Sequence, residues 1–242
     1  MDYELDIVIP VYNEENNITR TLEIIRDKVR SSHRILVVYD KDNDTTIPPL
    51  KEYILKNEST HIYPTKNSFG YGALNAIKTG LSTANSKAVL VTMADLSDDL
   101  CIVDQMLSHI KDGSSVVCGS RYVRGGRHIG GPPLKKFMSR CAGVSLSLFT
   151  GINTHDITNS FKMYSKEFLN EIEIESTGGF EIGMEITVKA FVHDRKITEI
   201  PSTWRDCPDK ESRFQLVAWL PLYLKWYFKA IFVALKGSPV SK

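Results

Sequence analysis

The sequence predicts an α/β fold with a mostly parallel central sheet flanked by helices. Three Val/Ile-rich runs, LDIVIPV at 5–11, RILVVY at 34–39 and AVLVTM at 88–93, have the continuous apolar character of strands buried on both faces. Segments with helical spacing separate them, and strand–helix–strand units close right-handed into parallel sheets. At 242 residues, 42% hydrophobic and 24% charged, the chain has the length and composition of one large globular domain, or one domain with an appendage.

Each element has its own signal. Ile18, Leu22, Ile25 and Val29 recur at helical spacing after strand 5–11, with Asn13 as the expected N-cap and Glu14 and Glu15 suited to a first turn. Strand 34–39 runs into the acidic stretch Asp40-Lys-Asp-Asn-Asp44. Pro48 and Pro49 open a second helix, and 61–64 is a short third strand. Residues 71–84 form the third helix and 88–93 the fourth strand. Beyond Asp95 the pattern loosens. A helix is expected at 99–112, a strand at 115–119, a Gly/Pro-rich loop at 125–133 and a helix at 134–150. A strand at 160–164, a helix at 182–191, a strand at 197–203 and a polar loop at 205–212 follow. The expected division is a domain over 1–214 and an apolar, amphipathic helical extension over 215–242.

Lys and Arg total 30 against 29 Asp and Glu, a net charge of +1, which argues against a nucleic-acid partner. Cys101, Cys118, Cys141 and Cys207 form no C-x-x-C pair and suit free thiols in a reducing compartment. The acidic start Met-Asp-Tyr-Glu-Leu-Asp is not the pattern of a signal peptide.

Ligands of open α/β sheets bind beyond the carboxyl ends of the strands. Here the first strand exits into Pro10-Val-Tyr-Asn-Glu14, the second into Asp40 and Asp44, and the fourth into Asp95 and Asp98. No G-x-G-x-x-G follows the first strand and no phosphate loop of the G-x-x-x-x-G-K-[ST] type occurs, so an acidic mouth stands where those motifs would. Carboxylates in that position suit a hard divalent cation, Mg²⁺ or Mn²⁺, carrying substrate phosphates. Cations suited to the far side of a diphosphate are present in Arg121 and in the cluster Arg205, Lys210 and Arg213.

These residues resemble the family-2 glycosyltransferases of the GT-A fold. Val8-Ile-Pro-Val-Tyr-Asn-Glu-Glu15 resembles the family's opening signature, and Asp40 to Thr46 its D-x-x-x-D-x-T. Asn67-Ser-Phe-Gly-Tyr-Gly-Ala-Leu74 is similar to N-x-G-x-G-x-A, Thr92 to Asp99 covers the D-x-D metal motif, and Gly119-Ser-Arg-Tyr122 stands at G-S-R-Y. Asp156-Ile-Thr-Asn-Ser-Phe-Lys162 stands at D-x-T-S-G-F-R, and Glu199-Ile-Pro201 at the E-V-P strand. Seven motifs keep register over about residues 5–214, in the manner of the dolichol-phosphate and polyprenyl-phosphate mannose and glucose synthases.

The resemblance implies an inverting transferase that moves a hexose from a nucleotide-diphospho-sugar to an acceptor such as a polyprenyl phosphate. Pro10, Tyr12, Glu14, Val38 and Asp40 would hold the nucleoside, and Ala94 and Asp95 would border the diphosphate. Asp95 would bind the metal, while Arg121, Arg205 and Arg213 would neutralise phosphate charge. An ionised acceptor phosphate needs no strong base; for a hydroxyl acceptor Asp156 is the candidate. Two positions depart from the family. Met93 stands at the first Asp of D-x-D, making Asp98 the candidate second metal ligand, and Cys207 stands at an Arg position, with Arg205 or Lys210 as compensating cations. A family member that binds a nucleotide or a partner without turnover is therefore the alternative. A nucleotidyltransferase is disfavoured, because no Gly-rich signature with Arg and Lys follows the first strand.

Residues 216–235 carry only Lys225 and Lys229 as charges, with six aromatic residues from Trp219 to Phe232. Pro221 and the two lysines argue against a membrane span. A helix lying in a membrane interface, and one packed on the domain or on a second copy of the chain, both fit. The implied location is the cytoplasm, with this helix as the candidate attachment to the inner face of a membrane.

Overall fold

The computed structural model describes residues 3–206 and 216–237. The first half alternates as expected: β1 (Leu5–Val11), α1 (Ile18–Lys28), β2 (His33–Tyr39), α2 (Ile47–Lys56), β3 (Ile62–Lys66), α3 (Ala73–Thr83) and β4 (Ala88–Val91). A 3₁₀ turn (Leu100–Ile102) leads into α4 (Val103–Lys111), followed by β5 (Val116–Ser120), β6 (Arg127–Ile129), α5 (Pro133–Thr150) and β7 (Lys162–Ser165). Then come α6 (Lys166–Glu171), α7 (Ile182–Val192), β8 (Ile197–Pro201), β9 (Thr203–Arg205) and α8 (Leu216–Leu235).

The main sheet has the order β3-β2-β1-β4-β7-β5-β8. All its pairings are parallel except those of β7, which runs antiparallel between β4 and β5. Side chains of successive strand residues alternate between the faces, and the core divides accordingly. Ile7, Ile9, Ile35 and Val37 pack under α1, α2 and α4. Val8, Leu36 and Val38 pack on the opposite face with α3, α7 and α8. Gly80 lets α3 come close to β1, since a Cβ there would meet Val8 Cγ1 at 2.1 Å. Trp226 and Ala230 of α8 are buried in the second layer.

Several expectations are corrected. Asn13 does not cap α1, which starts after Asn17. It adopts φ 55° and donates its N–H to Asp44 Oδ1 at 3.1 Å, tying together the exits of β1 and β2. The loop expected at 125–133 contains β6, which pairs with β9 in a separate two-stranded ribbon. Three-residue strands are too short to show a period, and their pairing depends on tertiary contacts. The short helix α6 was likewise not expected.

Asp6, the second residue of β1, is fully buried. Its register partner on β2 is Arg34, which donates from Nε at 2.7 Å and Nη2 at 2.8 Å. The N–H groups of Asn85 and Ser86 add bonds of 2.7 and 2.9 Å, fixing the turn into β4. Burial works to raise the Asp6 pKa, but Arg34 and the two backbone donors outweigh it and hold it below the usual carboxylate value. A lowered pKa stabilises the fold above the unfolded-state value, and that contribution is lost as pH falls through the native value. Asp6→Asn, which leaves Arg34 without its partner, is expected to cost about 3 kcal/mol in urea unfolding at pH 7. The deficit relative to wild type should shrink as pH falls below the ordinary carboxylate range.

Candidate active site

The carboxyl ends of β1, β2 and β4 open into a cleft of about 1100 Å³. Parallel register sets Pro10 beside Val38 and Val11 beside Tyr39, so Asp40 follows directly next to the Pro10–Tyr12 exit. Pro10, Tyr12, Glu14, Asp40, Ala94, Asp95, Asp98 and Arg121 all line this one cleft. The Glu14 N–H donates to Thr46 Oγ1 at 2.9 Å, and Thr21 Oγ1 donates to the Ala94 carbonyl at 2.9 Å. Asp40 accepts from Asn67 Nδ2 and the Gly72 N–H, both at 2.8 Å, which pins the glycine loop over the cleft.

After β4 the chain turns sharply. Leu96 lies at φ 63°, and the Ser97 N–H donates to Asp95 Oδ1 at 3.0 Å. A branched residue in left-handed backbone is strained, and such strain collects at functional turns. Asp98 accepts from Thr92 Oγ1 at 2.9 Å and from the Met93 N–H at 3.2 Å. Burial, with the neighbouring Asp95 charge, pushes the Asp98 pKa up to about 7. Asp95 and Asp98 are thus brought together at the mouth, and Met93 lies beside them.

Arg121 leaves β5 and meets Asp156 edge-on. Its Nε donates to Asp156 Oδ2 and its Nη2 to Oδ1, each at 2.7 Å, and its backbone N–H adds a bond of 2.9 Å to Oδ2. Nη2 also reaches Ser139 Oγ of α5 at 3.1 Å. Burial opposes the Arg121 charge, and Asp156 more than restores it. Asp156 is completely buried and does not line the cleft; it stands behind Arg121.

Other expected residues do not reach the cleft. The Val38 side chain is buried in the core on β2. Arg205 is exposed on β9, while its neighbours Trp204 and Asp206 line the cleft, as strand alternation requires. Its backbone N–H bonds the Ser97 carbonyl at 3.0 Å, so β9 is fastened to the Asp95 turn. Cys207, Lys210 and Arg213 lie outside the described residues.

Several residues joined the site without being expected. Lys162, at the last position of the D-x-T-S-G-F-R segment, is fully buried and donates to the carbonyls of Ile157 at 3.1 Å and Asn159. Burial pushes its pKa down. It supports the loop from which Thr158 and Asn159 reach the cleft. His128 sits 4.8 Å from the Trp204 ring and bonds Tyr122 Oη through Nδ1 at 3.1 Å. Burial, reinforced by Arg121 and Lys136, pushes its pKa down to about 4, so the imidazole is neutral at pH 7. The cleft then continues between α5 and α8, where Phe137, Met138, Leu220, Tyr223 and Leu224 make its wall apolar. The signals for these residues lie far apart in the chain.

Residues 6–173 match the profile of glycosyl transferase family 2. The chain belongs to this family. It is 29% identical over 206 residues to a dolichol-phosphate mannosyltransferase of Pyrococcus furiosus, covering 83% of this chain and 56% of that protein, so it spans just over half the length of that relative. It is 30% identical over 204 residues to an undecaprenyl-phosphate mannosyltransferase of Micrococcus luteus, covering 81% of this chain and 82% of that one. Among solved structures, glucosyl-3-phosphoglycerate synthase of Mycobacterium tuberculosis with uridine diphosphate superposes with a TM-score of 0.69 at 14% identity, over 95% of this chain and 80% of that one. The family-2 assignment and the GT-A fold expected from the motifs are thereby borne out.

The Arg121–Asp156 clamp gives a test of how the back wall is built. Breaking a buried ion pair from one side costs about 3–5 kcal/mol, whereas replacing both partners with apolar groups is close to neutral. Arg121→Met and Asp156→Leu should each lower stability in urea by that amount, and the double variant by clearly less than their sum. Additive losses would show that the two side chains do not depend on each other.

Proposed function

We propose that this family member transfers a hexose, with inversion, from a nucleotide-diphospho-sugar to a polyprenyl phosphate, with a divalent cation at Asp95. The observation that carries the reading is the two-part cleft. Carboxylates and a buried arginine line its polar end, and an apolar arm between α5 and α8 continues from it. A lipid phosphate has this same division into charged head and apolar tail. The relatives named for lipid-phosphate acceptors support the same acceptor class.

In this reading Pro10, Tyr12, Glu14 and Asp40 border the nucleoside, and Ala94 and Asp95 the diphosphate. Two carboxylates suit Mg²⁺ or Mn²⁺ when substrate phosphates supply further oxygens, since these cations are commonly held by one or two carboxylates rather than by an all-protein cage. Asp95 and Asp98 meet that requirement, and no cluster of three or more His, Cys, Asp or Glu side chains converges among the described residues. Structural neighbours were crystallised with Mn²⁺ or Mg²⁺, which supports the same choice. When bound, the cation would supply Lewis-acid stabilisation of the departing diphosphate.

The chain's own residues do the positioning. Arg121, held charged by Asp156, presents fixed positive charge at the cleft wall. Asp156 has both oxygens engaged by Arg121, so its role here is to orient the guanidinium, replacing the role of general base considered from sequence. A phosphate acceptor needs no such base, because its oxygen is already ionised near pH 7. The Asp40 clamp on the glycine loop shapes the nucleoside end.

The test is transfer from radiolabelled UDP- and GDP-hexoses to undecaprenyl phosphate in detergent with Mn²⁺, resolved as lipid-linked sugar. The reading requires such a product from at least one donor. Nucleotide binding without transfer to any lipid phosphate would favour a member without turnover. Asp95→Asn is expected to lower the transfer rate by about 10² or more, the usual scale for losing one stabiliser of transition-state charge. Calorimetry should show that the variant's affinity for the nucleoside diphosphate no longer rises when Mn²⁺ is added. Unchanged Mn²⁺ dependence would remove Asp95 from the cation site.

A further inference from the structure

Three residues of the cleft wall, His128, Trp204 and Asp206, stand apart from the nucleoside and diphosphate positions proposed above. None of them belongs to the seven motifs, and the small ribbon brings them together. His128 of β6 and Trp204 of β9 are register partners, and their rings meet at 4.8 Å and 74°. Asp206 follows β9, and its N–H donates to the Ile129 carbonyl at 2.9 Å. Gly131 leaves this corner open. A Cβ there would stand 3.5 Å from both His128 Nε2 and Trp204 Cζ3, so any side chain at 131 would start against the two rings. Its φ of 76° favours glycine as well.

The His128 ring is held by one nitrogen only. Nδ1 bonds Tyr122 Oη at 3.1 Å, and Tyr122 Oη also reaches Ser139 Oγ at 3.1 Å and the Lys136 carbonyl at 3.3 Å. A carbonyl only accepts, so the Tyr122 proton has a partner there and its oxygen is left to accept from Nδ1–H. Burial, with Arg121 and Lys136 nearby, keeps the ring neutral at pH 7, and Nε2 then carries a free lone pair. Nε2 has no hydrogen-bond partner among the described residues, and Gly131 beside it also lines the cleft.

The place of the corner says what it meets. β9 is fastened to the Asp95 turn through Arg205 N–H and the Ser97 carbonyl at 3.0 Å. Tyr122, which holds His128, follows Arg121, whose Cζ lies 5.1 Å from the Tyr122 ring. The corner therefore adjoins the Asp95 turn on one side and Arg121 on the other. In a nucleotide-diphospho-sugar the group beyond the diphosphate is the hexose. A further phosphate would meet the Asp206 charge. A hexose instead brings hydroxyl donors for two acceptors and an apolar C–H face for the indole. We propose that His128, Trp204 and Asp206 form the hexose pocket of this chain, with His128 Nε2 and the Asp206 carboxylate accepting from sugar hydroxyls and the Trp204 ring covering a C–H face. This rests on the nucleotide-sugar reading above and assigns the part of the donor which that reading leaves without residues. An apolar plane with a few convergent polar groups is the usual make-up of a small-molecule subsite.

The test is calorimetry of UDP, GDP, UDP-glucose and GDP-mannose with Mn²⁺, on wild type, His128→Ala, His128→Asn, His128→Gln and Trp204→Ala. Losing one neutral hydrogen bond or the ring plane should weaken the sugar nucleotide about five- to tenfold and leave the matching nucleoside diphosphate unchanged. Circular dichroism establishes that each variant is folded, and Trp204→Leu serves if Trp204→Ala is not. Asparagine carries its amide where Nδ1 stands and keeps the Tyr122 bond, whereas glutamine reaches the position of Nε2. His128→Gln should therefore recover most of the affinity and His128→Asn little of it. The reverse order would make His128 a support for Tyr122 and overturn the proposal. Folded variants that bind sugar nucleotides as wild type does, or that lose the nucleoside diphosphate equally, would overturn it too. Wild type that binds UDP or GDP but neither sugar nucleotide would remove the pocket and leave the nucleoside site standing. Wild type that binds none of the four would remove both.

Discussion

Parallel pairing of β2, β1 and β4 is the constraint on which the site depends. The register that sets Pro10 beside Val38 and Val8 beside Val91 brings three strand exits out on one edge of the sheet. Asp40 and the Asp95–Asp98 turn come from separate parts of the chain and share a cleft for that reason. Those strands are buried on both faces, so shifting any one of them would force core side chains out of register on both sides. The buried Asp6–Arg34 pair fixes the β1–β2 register at the opposite end from the chemistry.

A second layer of charge lies behind the acidic mouth. Asp156 and Lys162 are fully buried and Arg121 nearly so, and each is held by hydrogen bonds within the protein. Such a wall fixes the Arg121 guanidinium at the cleft in one orientation, with no reorganisation required of it. The two-stranded ribbon extends the wall. Its anchor from Arg205 N to Ser97 O carries Trp204 and Asp206 to the cleft and ties the late part of the chain to the Asp95 turn.

Much of the fold was legible because buried parallel strands leave unbroken apolar runs, as at 5–11 and 88–93. The acidic exits were legible for a related reason: each follows a recognisable strand. What escaped had no local signal. Val38 looks like a strand-end residue in sequence, yet alternation turns its side chain into the core. Asp156 has the chemistry of a base, but its partner lies on a different strand exit, and only the fold brings Arg121 to it. Lys225 and Lys229 carry the opposite lesson: the aromatic residues around them suggested a lipid-facing edge, while Glu175 draws them back to the protein.

The central claim is that the strand exits form a cation-assisted site for a nucleoside diphosphate. The most direct measurement is anomalous diffraction from crystals of the protein grown with Mn²⁺ and a nucleoside diphosphate. The account predicts a manganese peak within about 2.2 Å of an Asp95 carboxylate oxygen, close to the distance usual for a small hard cation. The diphosphate should bridge from that peak toward Arg121, and the nucleoside should lie along Pro10 and Asp40. A nucleotide bound elsewhere, or a nucleotide in this cleft with no manganese at Asp95, would contradict it.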